Sequence, residues 1–172
     1  KSAVMKKTSI IYSFNTVKTA QAAKMIIESF GDQDLEALNA EDITGEKFLK
    51  NKNLILGVAT WFDGELPNYW DEFIPELEEL NLKGYKVALF GPGDQKNYPE
   101  NFVDGIGILG SLLEERGAVI VGFTSAEGYK FEKSRALRGD KFMGLALDFE
   151  NQASKNKERI RNWVEQLRKE FP

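Results

Sequence analysis

Two aromatic residues follow strand-like segments at matching positions, and they are the residues best suited to hold a flat ligand. Trp61 follows the apolar run 54–59, and Tyr98 follows the apolar run 85–90 through a loop rich in glycine and polar residues. If the two strands lie side by side and parallel, both rings project from the same edge of a sheet. Two rings there could clamp a conjugated ligand between them, and this arrangement points to a flavin.

A polar turn lies between the first strand-like segment, 8–12, and the first helix-like segment. Residues 13–19 read Ser-Phe-Asn-Thr-Val-Lys-Thr and supply hydroxyls, an amide and the free N–H groups of a helix N-terminus. Such donors, together with the helix dipole, suit a phosphate group. Simple capping of the helix is the alternative explanation. Because the two aromatic loops are expected at the same edge, we favour the phosphate site.

The absence of cysteine and histidine excludes several kinds of site. The sequence has no cysteine, which removes disulfides, thiolate metal sites and cysteine nucleophiles, and which is compatible with a cytoplasmic location. It has no histidine, which removes imidazole bases and histidine-rich metal sites, so we expect neither a metal nor hydrolytic chemistry. The net charge of −4 argues against a nucleic-acid partner. No apolar run approaches the roughly 18 residues of a membrane helix.

The elements that must position these residues alternate between strands and helices. Apolar periodicity predicts strands over 8–12, 34–38, 54–59, 85–90 and 118–123. It predicts helices over 16–30, 41–49, 68–80, 102–113 and 155–171. Strands that are apolar on both faces are typical of a parallel sheet covered by helices on each side. The sequence therefore predicts an α/β sandwich with about five strands.

Residues 124–143 interrupt this alternation with a polar stretch that is too long for an ordinary connection. We interpret it as an insertion with a small antiparallel excursion, after which residues 145–147 resume the edge strand. The length predicts a single domain over residues 5–172. Residues 1–4, which precede Met5, are interpreted as a cloning remnant.

Nearly the whole chain, from Lys6 to Phe171, resembles a flavodoxin of the long-chain type. The most specific matches are Thr-Trp-Phe-Asp-Gly-Glu-Leu at 60–66, Gly-Pro-Gly-Asp-Gln with Tyr-Pro-Glu-Asn-Phe within 91–102, and Leu-Ala-Leu-Asp with Asn-Gln within 145–152. The resemblance implies a flavodoxin-like three-layer α/β sandwich with a five-stranded parallel sheet and an insertion in the last strand. It also implies noncovalent FMN and a low-potential one-electron carrier, monomeric and not itself a catalyst, that serves a reductase donor and an oxidase acceptor.

The resemblance further implies which residues bind FMN. The phosphate is assigned to Thr16, Lys18 and Thr19, with Asn15 and Thr60 assisting. The isoalloxazine is assigned to Trp61 and Tyr98 on its faces, with backbone around Phe62–Gly64 and Pro92–Asp94 at its polar edge. The ribityl and ring periphery are assigned to Asn101, Asp104 and Asp148. The complete set is Ser13, Phe14, Asn15, Thr16, Val17, Lys18, Thr19, Thr60, Trp61, Phe62, Asp63, Gly64, Pro92, Gly93, Asp94, Tyr98, Asn101, Asp104 and Asp148.

The turn that follows Trp61 carries a further implication of the resemblance. The resemblance implies that the Phe62–Asp63 peptide flips its carbonyl toward the flavin N5–H, which changes the turn over residues 61–64 from type I to type II. Such a flip would place Asp63 at a position that needs positive φ.

Acidic residues collect around the first aromatic loop, at Asp63, Glu65, Asp71, Glu72 and Glu76. They can serve solubility alone, or they can form a docking face for redox partners and repel the charge of a reduced flavin. Together with aromatic stacking, the second role would make the reduced flavin strongly reducing.

The phosphate loop departs from the family pattern Thr-x-Thr-Gly-x-Thr at two positions. Phe14 replaces a hydroxyl with a bulky ring, and Val17 replaces the glycine with a β-branched residue that disfavours positive φ. We therefore expect a weakened phosphate site, and a flavodoxin-fold protein with impaired FMN binding that acts through partners is one alternative.

An FMN-dependent quinone reductase of the same fold is the other alternative. The clamp of two rings argues against it, because a hydride acceptor needs an open flavin face. A response-regulator receiver shares the architecture but needs paired acids after the first strand, where this chain has Tyr12, Ser13 and Phe14.

Overall fold

The computed structural model describes residues 6–31 and 35–171. Its strands are β1 (Thr8–Tyr12), β2 (Leu35–Asn39), β3 (Asn53–Gly57), β4 (Lys86–Pro92), β5 (Val119–Val121), β6 (Thr124–Ser125), β7 (Leu137–Arg138), β8 (Lys141–Phe142) and β9 (Leu145–Leu147). Its helices are α1 (Lys18–Phe30), α2 (Gly45–Phe48), α3 (Asn68–Asp71), α4 (Ile74–Leu77), α5 (Asp104–Glu115) and α6 (Ala153–Glu170). Residues 1–4 and Asp34, the first residue of the predicted second strand, lie outside the described residues.

The central sheet is parallel, with the order β2-β1-β3-β4-β5. Strands β5 and β9 both pair with β4. Strand β5 pairs with the first half of β4, at Lys86–Ala88, and β9 pairs with the second half, at Phe90–Pro92. The fifth strand is therefore one edge position that is divided in two. The residues between its halves form a separate antiparallel sheet with the order β6-β8-β7. Both the three-layer fold and the insertion in the last strand are confirmed.

Helices cover both faces of the sheet. Ile10 and Ile11 are each fully buried, yet they belong to opposite cores. One core contains the buried faces of α1 and α6, with Phe30 and Trp163, and the other contains Trp70 and the buried face of α5. Burial on both faces explains the continuous apolar strands of the sequence. Within the described residues, no helix is both long enough and apolar enough to cross a bilayer.

The predicted helix over 68–80 is instead two short helices, α3 and α4. Pro75 lies in the first turn of α4, where a missing N–H costs nothing. In a continuous helix the same proline would remove a hydrogen bond and crowd the preceding turn, so α3 ends at Asp71. Trp70 holds this region against the sheet, because its Nε1 donates to the Gly57 carbonyl at 2.9 Å. The predicted short helix over 41–49 is a 3-10 turn at Ala40–Asp42 followed by α2.

Candidate functional site

A cavity of about 370 Å³ opens beyond the carboxyl ends of β3 and β4. Its lining comes from the loop after β3, from the last residue of β4 and from the segment between β4 and α5: Thr60, Trp61, Phe62, Pro92, Gly93, Asp94, Tyr98, Asn101, Phe102 and Val103. The structure thus brings the two predicted aromatic residues to one cavity. Sequence reasoning missed Phe102 and Val103 as lining residues, since both read as the start of an apolar helix stripe.

The Trp61 ring is held by its own loop and by a second aromatic residue. The Trp61 N–H donates to the Glu65 carbonyl at 2.8 Å, and the Trp61 carbonyl accepts from the Glu65 N–H at 2.7 Å. Tyr69 packs edge-on against the Trp61 ring, with 6.0 Å between centroids. Burial raises the pKa of the Tyr69 hydroxyl to about 12, so this supporting residue is neutral. The ring therefore has a fixed position at the wall of the cavity.

Two residues of the cavity wall have strained backbone. Phe62 has φ 50° and Val103 has φ 48°, and in the described part of the chain they are the only residues other than glycine with positive φ. Left-handed backbone costs roughly 1–2 kcal/mol per residue, and strain of this kind concentrates at binding and active sites. The turn after Trp61 is not the type I turn that the resemblance implied. Its positive φ lies at Phe62 and Gly64 and not at Asp63.

Asp94 shapes the loop that presents Tyr98. Its carboxylate accepts the N–H groups of Lys96 at 3.2 Å and Asn97 at 3.0 Å, and the Asn151 amide at 2.9 Å. Burial raises the pKa of Asp94, but the hydrogen bonds outweigh it and the net pKa is lowered. The Asp94 carbonyl also accepts the Tyr98 N–H at 2.9 Å. An ionised Asp94 therefore fixes the path of the backbone to Tyr98, which is itself 57% exposed.

Asp104 and Asp148 are not among the residues that line the cavity, so their assignment to the ribityl and ring periphery stays a prediction. Asp148 is fully buried and accepts from the Gln95 N–H at 3.1 Å, the Gln95 side-chain amide at 2.8 Å and the Asn151 N–H at 2.9 Å. Asp104 is 4% exposed and accepts the Arg135 N–H at 2.7 Å. Both carboxylates bind backbone of neighbouring loops, so they build the site without lining it.

Gln95 is a positioning residue that sequence reasoning missed. It is 6% exposed, and its Oε1 accepts the Lys130 N–H of the insertion at 2.5 Å while its Nε2 donates to Asp148. Close by, the Pro99 carbonyl accepts the N–H groups of Glu132 and Lys133 at 2.8 and 2.9 Å. The insertion is thus hydrogen-bonded along the loop that carries Tyr98. A lone glutamine carries no sequence signal for this role, although it lies within the matched segment 91–95.

The turn before α1 offers unused donors. The backbone N–H groups of Asn15, Val17, Lys18 and Thr19 have no acceptor among the described residues. The Ser13 hydroxyl is buried and has no hydrogen-bond partner within the same part of the chain. Four open N–H groups at the start of a helix form a suitable site for an anion.

Several side chains of this turn already form hydrogen bonds or ion pairs within the protein. The Thr16 hydroxyl donates to the Ser13 carbonyl at 2.7 Å and accepts the Ala20 N–H at 3.2 Å, so it caps α1. The Asn15 amide donates to Glu41 at 2.5 Å. Lys18 forms an ion pair with Glu150. The direct phosphate contacts predicted for these three side chains therefore remain predictions, and the backbone offers the free donors.

The two departures from the family pattern have little effect on the backbone. Val17 has φ −91° and ψ −65°, which is right-handed, so this position does not need glycine. The residue is 80% exposed, so its side chain lies largely in solvent. Phe14 is 47% exposed, and its ring lies 4.9 Å from that of Tyr12. The expectation that position 17 needs the positive φ of a glycine was wrong, because Val17 has an ordinary right-handed conformation.

The arrangement suits a planar ligand with an anionic tail. Aromatic rings line one cavity, and open N–H groups lie at the neighbouring strand end. Thr60 also lines the cavity, and its hydroxyl accepts the Gly105 N–H at 2.9 Å and keeps its own proton to donate. Among the residues that the structure describes, no acidic cluster is arranged to hold a metal ion.

Comparison with known proteins gives one consistent result. A family model described as flavodoxin matches residues 10–163. A flavodoxin from a Nostoc species is 40% identical over 171 residues, covering 96% of this chain and 98% of the relative. Flavodoxin 1 of Escherichia coli is 39% identical over 165 residues, covering 95% and 94%. The crystal structure of Fusobacterium nucleatum flavodoxin bound to flavin mononucleotide is 34% identical, with a TM-score of 0.92 over 98% of this chain and all of the other.

Proposed function

Because the chain belongs to the flavodoxin family, we propose that it binds FMN and carries single electrons between redox proteins. The observation that carries this proposal is the cavity shared by Trp61 and Tyr98, next to a turn with open N–H groups. When bound, FMN supplies the redox chemistry. The protein makes and breaks no bond itself, so it is an electron-transfer protein and not an enzyme.

Each part of the site has a role toward FMN. Trp61 and Tyr98 hold the isoalloxazine from its two faces and exclude water from it. The open N–H groups of the turn 13–19 receive the phosphate. Thr60 and Asn101 both line the cavity and can donate to the ribityl chain.

Neither alternative function is favoured. Impaired FMN binding was suggested by Phe14 and Val17, but the right-handed backbone at Val17 leaves the N–H groups of the turn open. A quinone reductase would need one flavin face free for hydride transfer, whereas Trp61 and Tyr98 both line the cavity. The relatives at about 40% identity are flavodoxins.

The partners are redox proteins, and we propose that they dock on the acidic side of the site. A second cavity beside the Trp61 loop is lined by Asp63, Glu65 and Asp71, with Arg135. Opposite charge on a partner would speed its approach and orient it toward the flavin edge. We further propose a monomer that works in the cytoplasm, where the lack of cysteine is no disadvantage.

The test is the visible spectrum of freshly purified protein, followed by calorimetric titration of the apoprotein with FMN and with riboflavin. A flavin spectrum and FMN binding at least about tenfold tighter than riboflavin are expected, because only FMN can use the open N–H groups. Absence of binding to either flavin would refute the function. Equal binding of both would refute the phosphate site and leave the ring site intact.

A further inference from the structure

Exposed apolar side chains are concentrated at one end of the molecule. In the described part of the chain the large exposed hydrophobic residues are Phe14, Val17, Phe62, Tyr98 and Val119. The first four belong to loops that follow β1, β3 and β4, which are neighbours in the sheet. They therefore border the same edge, and only Val119 lies elsewhere. Apolar surface grouped in this way is typical of a protein-binding site.

The side chains of Phe14 and Val17 do not line the cavity. They are 47% and 80% exposed, and neither is among the residues that line the space between Trp61 and Tyr98. The Phe14 backbone is fixed by its N–H, which donates to the Asn39 side chain at 3.2 Å. The two side chains replace a hydroxyl and a glycine of the family pattern, so they add apolar surface where that pattern has none. They are available to a partner.

The charges around these residues are mostly negative. Glu41 accepts the Asn15 amide, which holds its carboxylate beside Phe14. Lys18, the basic residue of the turn, is paired with Glu150. At the other end of the sheet, lysines stand at the amino ends of three strands, at Lys7, Lys52 and Lys86. Carboxylates therefore lie beside the exposed apolar residues of this edge, at Glu41 and around the Trp61 loop.

We propose that Phe14 and Val17 form a contact, together with Phe62 and Tyr98, for a redox protein whose docking surface has an apolar centre ringed by lysine or arginine. The inference rests on the proposed function and extends the docking face from the flavin edge across the phosphate turn. A basic rim would meet Glu41 and the acids of the Trp61 loop. An apolar centre would cover Phe14 and Val17 and hold the partner's redox group beside the flavin. Bound FMN in its reduced form would then supply one electron, which would reduce the oxidised group of the partner.

The test uses FMN-loaded protein and mitochondrial cytochrome c, whose exposed haem edge is ringed by lysines. The reduced protein is mixed by stopped flow with ferric cytochrome c and, separately, with ferricyanide, which is too small to need the docking face. The ratio of the two rate constants cancels any change in the flavin itself. The variants are Phe14→Thr with Val17→Thr, and Val119→Thr as a matched control at the 55% exposed valine on β5.

The ratio should fall about fivefold in the double variant, because partial burial of two apolar side chains is lost, and it should stay at the wild-type value in Val119→Thr. An unchanged ratio in the double variant would overturn the proposal, and so would an equal fall in the control. Wild-type protein that takes up no FMN would refute the proposed function, and the docking inference with it. Wild-type protein that reduces ferricyanide while the double variant keeps its ratio would refute only the docking inference.

Discussion

Gln95→Glu should make the stability of the protein depend on pH in a way that the wild-type chain does not. The Gln95 amide donates to the Asp148 carboxylate at 2.8 Å, and its carbonyl accepts the Lys130 N–H at 2.5 Å. A protonated glutamic acid can make the same two hydrogen bonds, because it has one O–H and one carbonyl oxygen. An ionised one cannot donate, and it would place a second negative charge against a fully buried Asp148.

The size of the effect follows from the coupling of the two carboxylates. Like charges at such a distance, together with burial, raise the pKa of the introduced glutamic acid in the folded state above its unfolded value of about 4.3. Its contribution to stability is then fully present below pH about 4.3 and is lost as the pH rises through the folded-state pKa. A rise of about two units corresponds to about 3 kcal/mol lost by neutral pH.

Urea unfolding of the apoprotein at a series of pH values measures this effect. The difference in unfolding free energy between wild type and Gln95→Glu should be small near pH 4.5 and grow to about 3 kcal/mol at pH 8. Gln95→Met is the matched control, because it loses the same hydrogen bonds at every pH and should give a difference that does not vary. A flat difference for Gln95→Glu would show that Gln95 does not face Asp148, and the role assigned to this residue would be wrong.

Three further predictions concern the loops around the cavity. Trp61→Ala or Tyr98→Ala should weaken FMN binding about ten- to hundredfold, in line with roughly 1–3 kcal/mol per stacked ring, and unchanged affinity by calorimetry in both would exclude the clamp. Phe62→Asn should raise the unfolding free energy by about 0.5–1 kcal/mol in urea, because asparagine tolerates the left-handed backbone better, and a loss of stability would contradict the strain at Phe62. Gly64→Ala should lower it by about 1–3 kcal/mol, since a Cβ there would lie 2.6 Å from the Asp104 carboxylate at φ 93°, and an equally stable variant would count against this packing.

The sheet could be predicted because its signal is local. Strands buried on both faces read as continuous apolar runs, and the runs at 54–59 and 85–90 correspond to the buried strands β3 and β4. The insertion could be predicted from its length and polarity, since residues 124–143 lie between the two halves of the fifth strand. The common placement of Trp61 and Tyr98 then followed from the parallel direction of their strands.

The ends of helices and the backbone conformations of single residues could not be predicted as well from the sequence. Pro75 divides the predicted helix over 68–80. Proline is accepted in the first turn of a helix, so its presence alone does not show at which residue the new helix begins. The positive φ of Val103 has no sequence signal at all, because a β-branched residue is among the last expected there. Val17 is the opposite case: the glycine of the family pattern suggested a positive φ at this position, but Val17 has a negative φ. Such details depend on packing between loops that are distant in sequence.

The polar residues of the matched segments divide into two kinds that a motif cannot separate. Asp and Thr oxygens can bind a ligand or the backbone of a nearby loop, and both uses preserve the residue type. Thr16 and Asp148 are both predicted to bind the ligand, and the structure shows that Thr16 also caps α1 and that Asp148 also receives hydrogen bonds from Gln95 and Asn151. Trp61 and Tyr98 differ from these polar residues, because an aromatic ring at a strand end does not accept hydrogen bonds from the backbone of a nearby loop. The placement of the aromatic residues could therefore be predicted from the sequence. For the polar residues, the structure was needed to show which oxygens already accept hydrogen bonds from the protein itself.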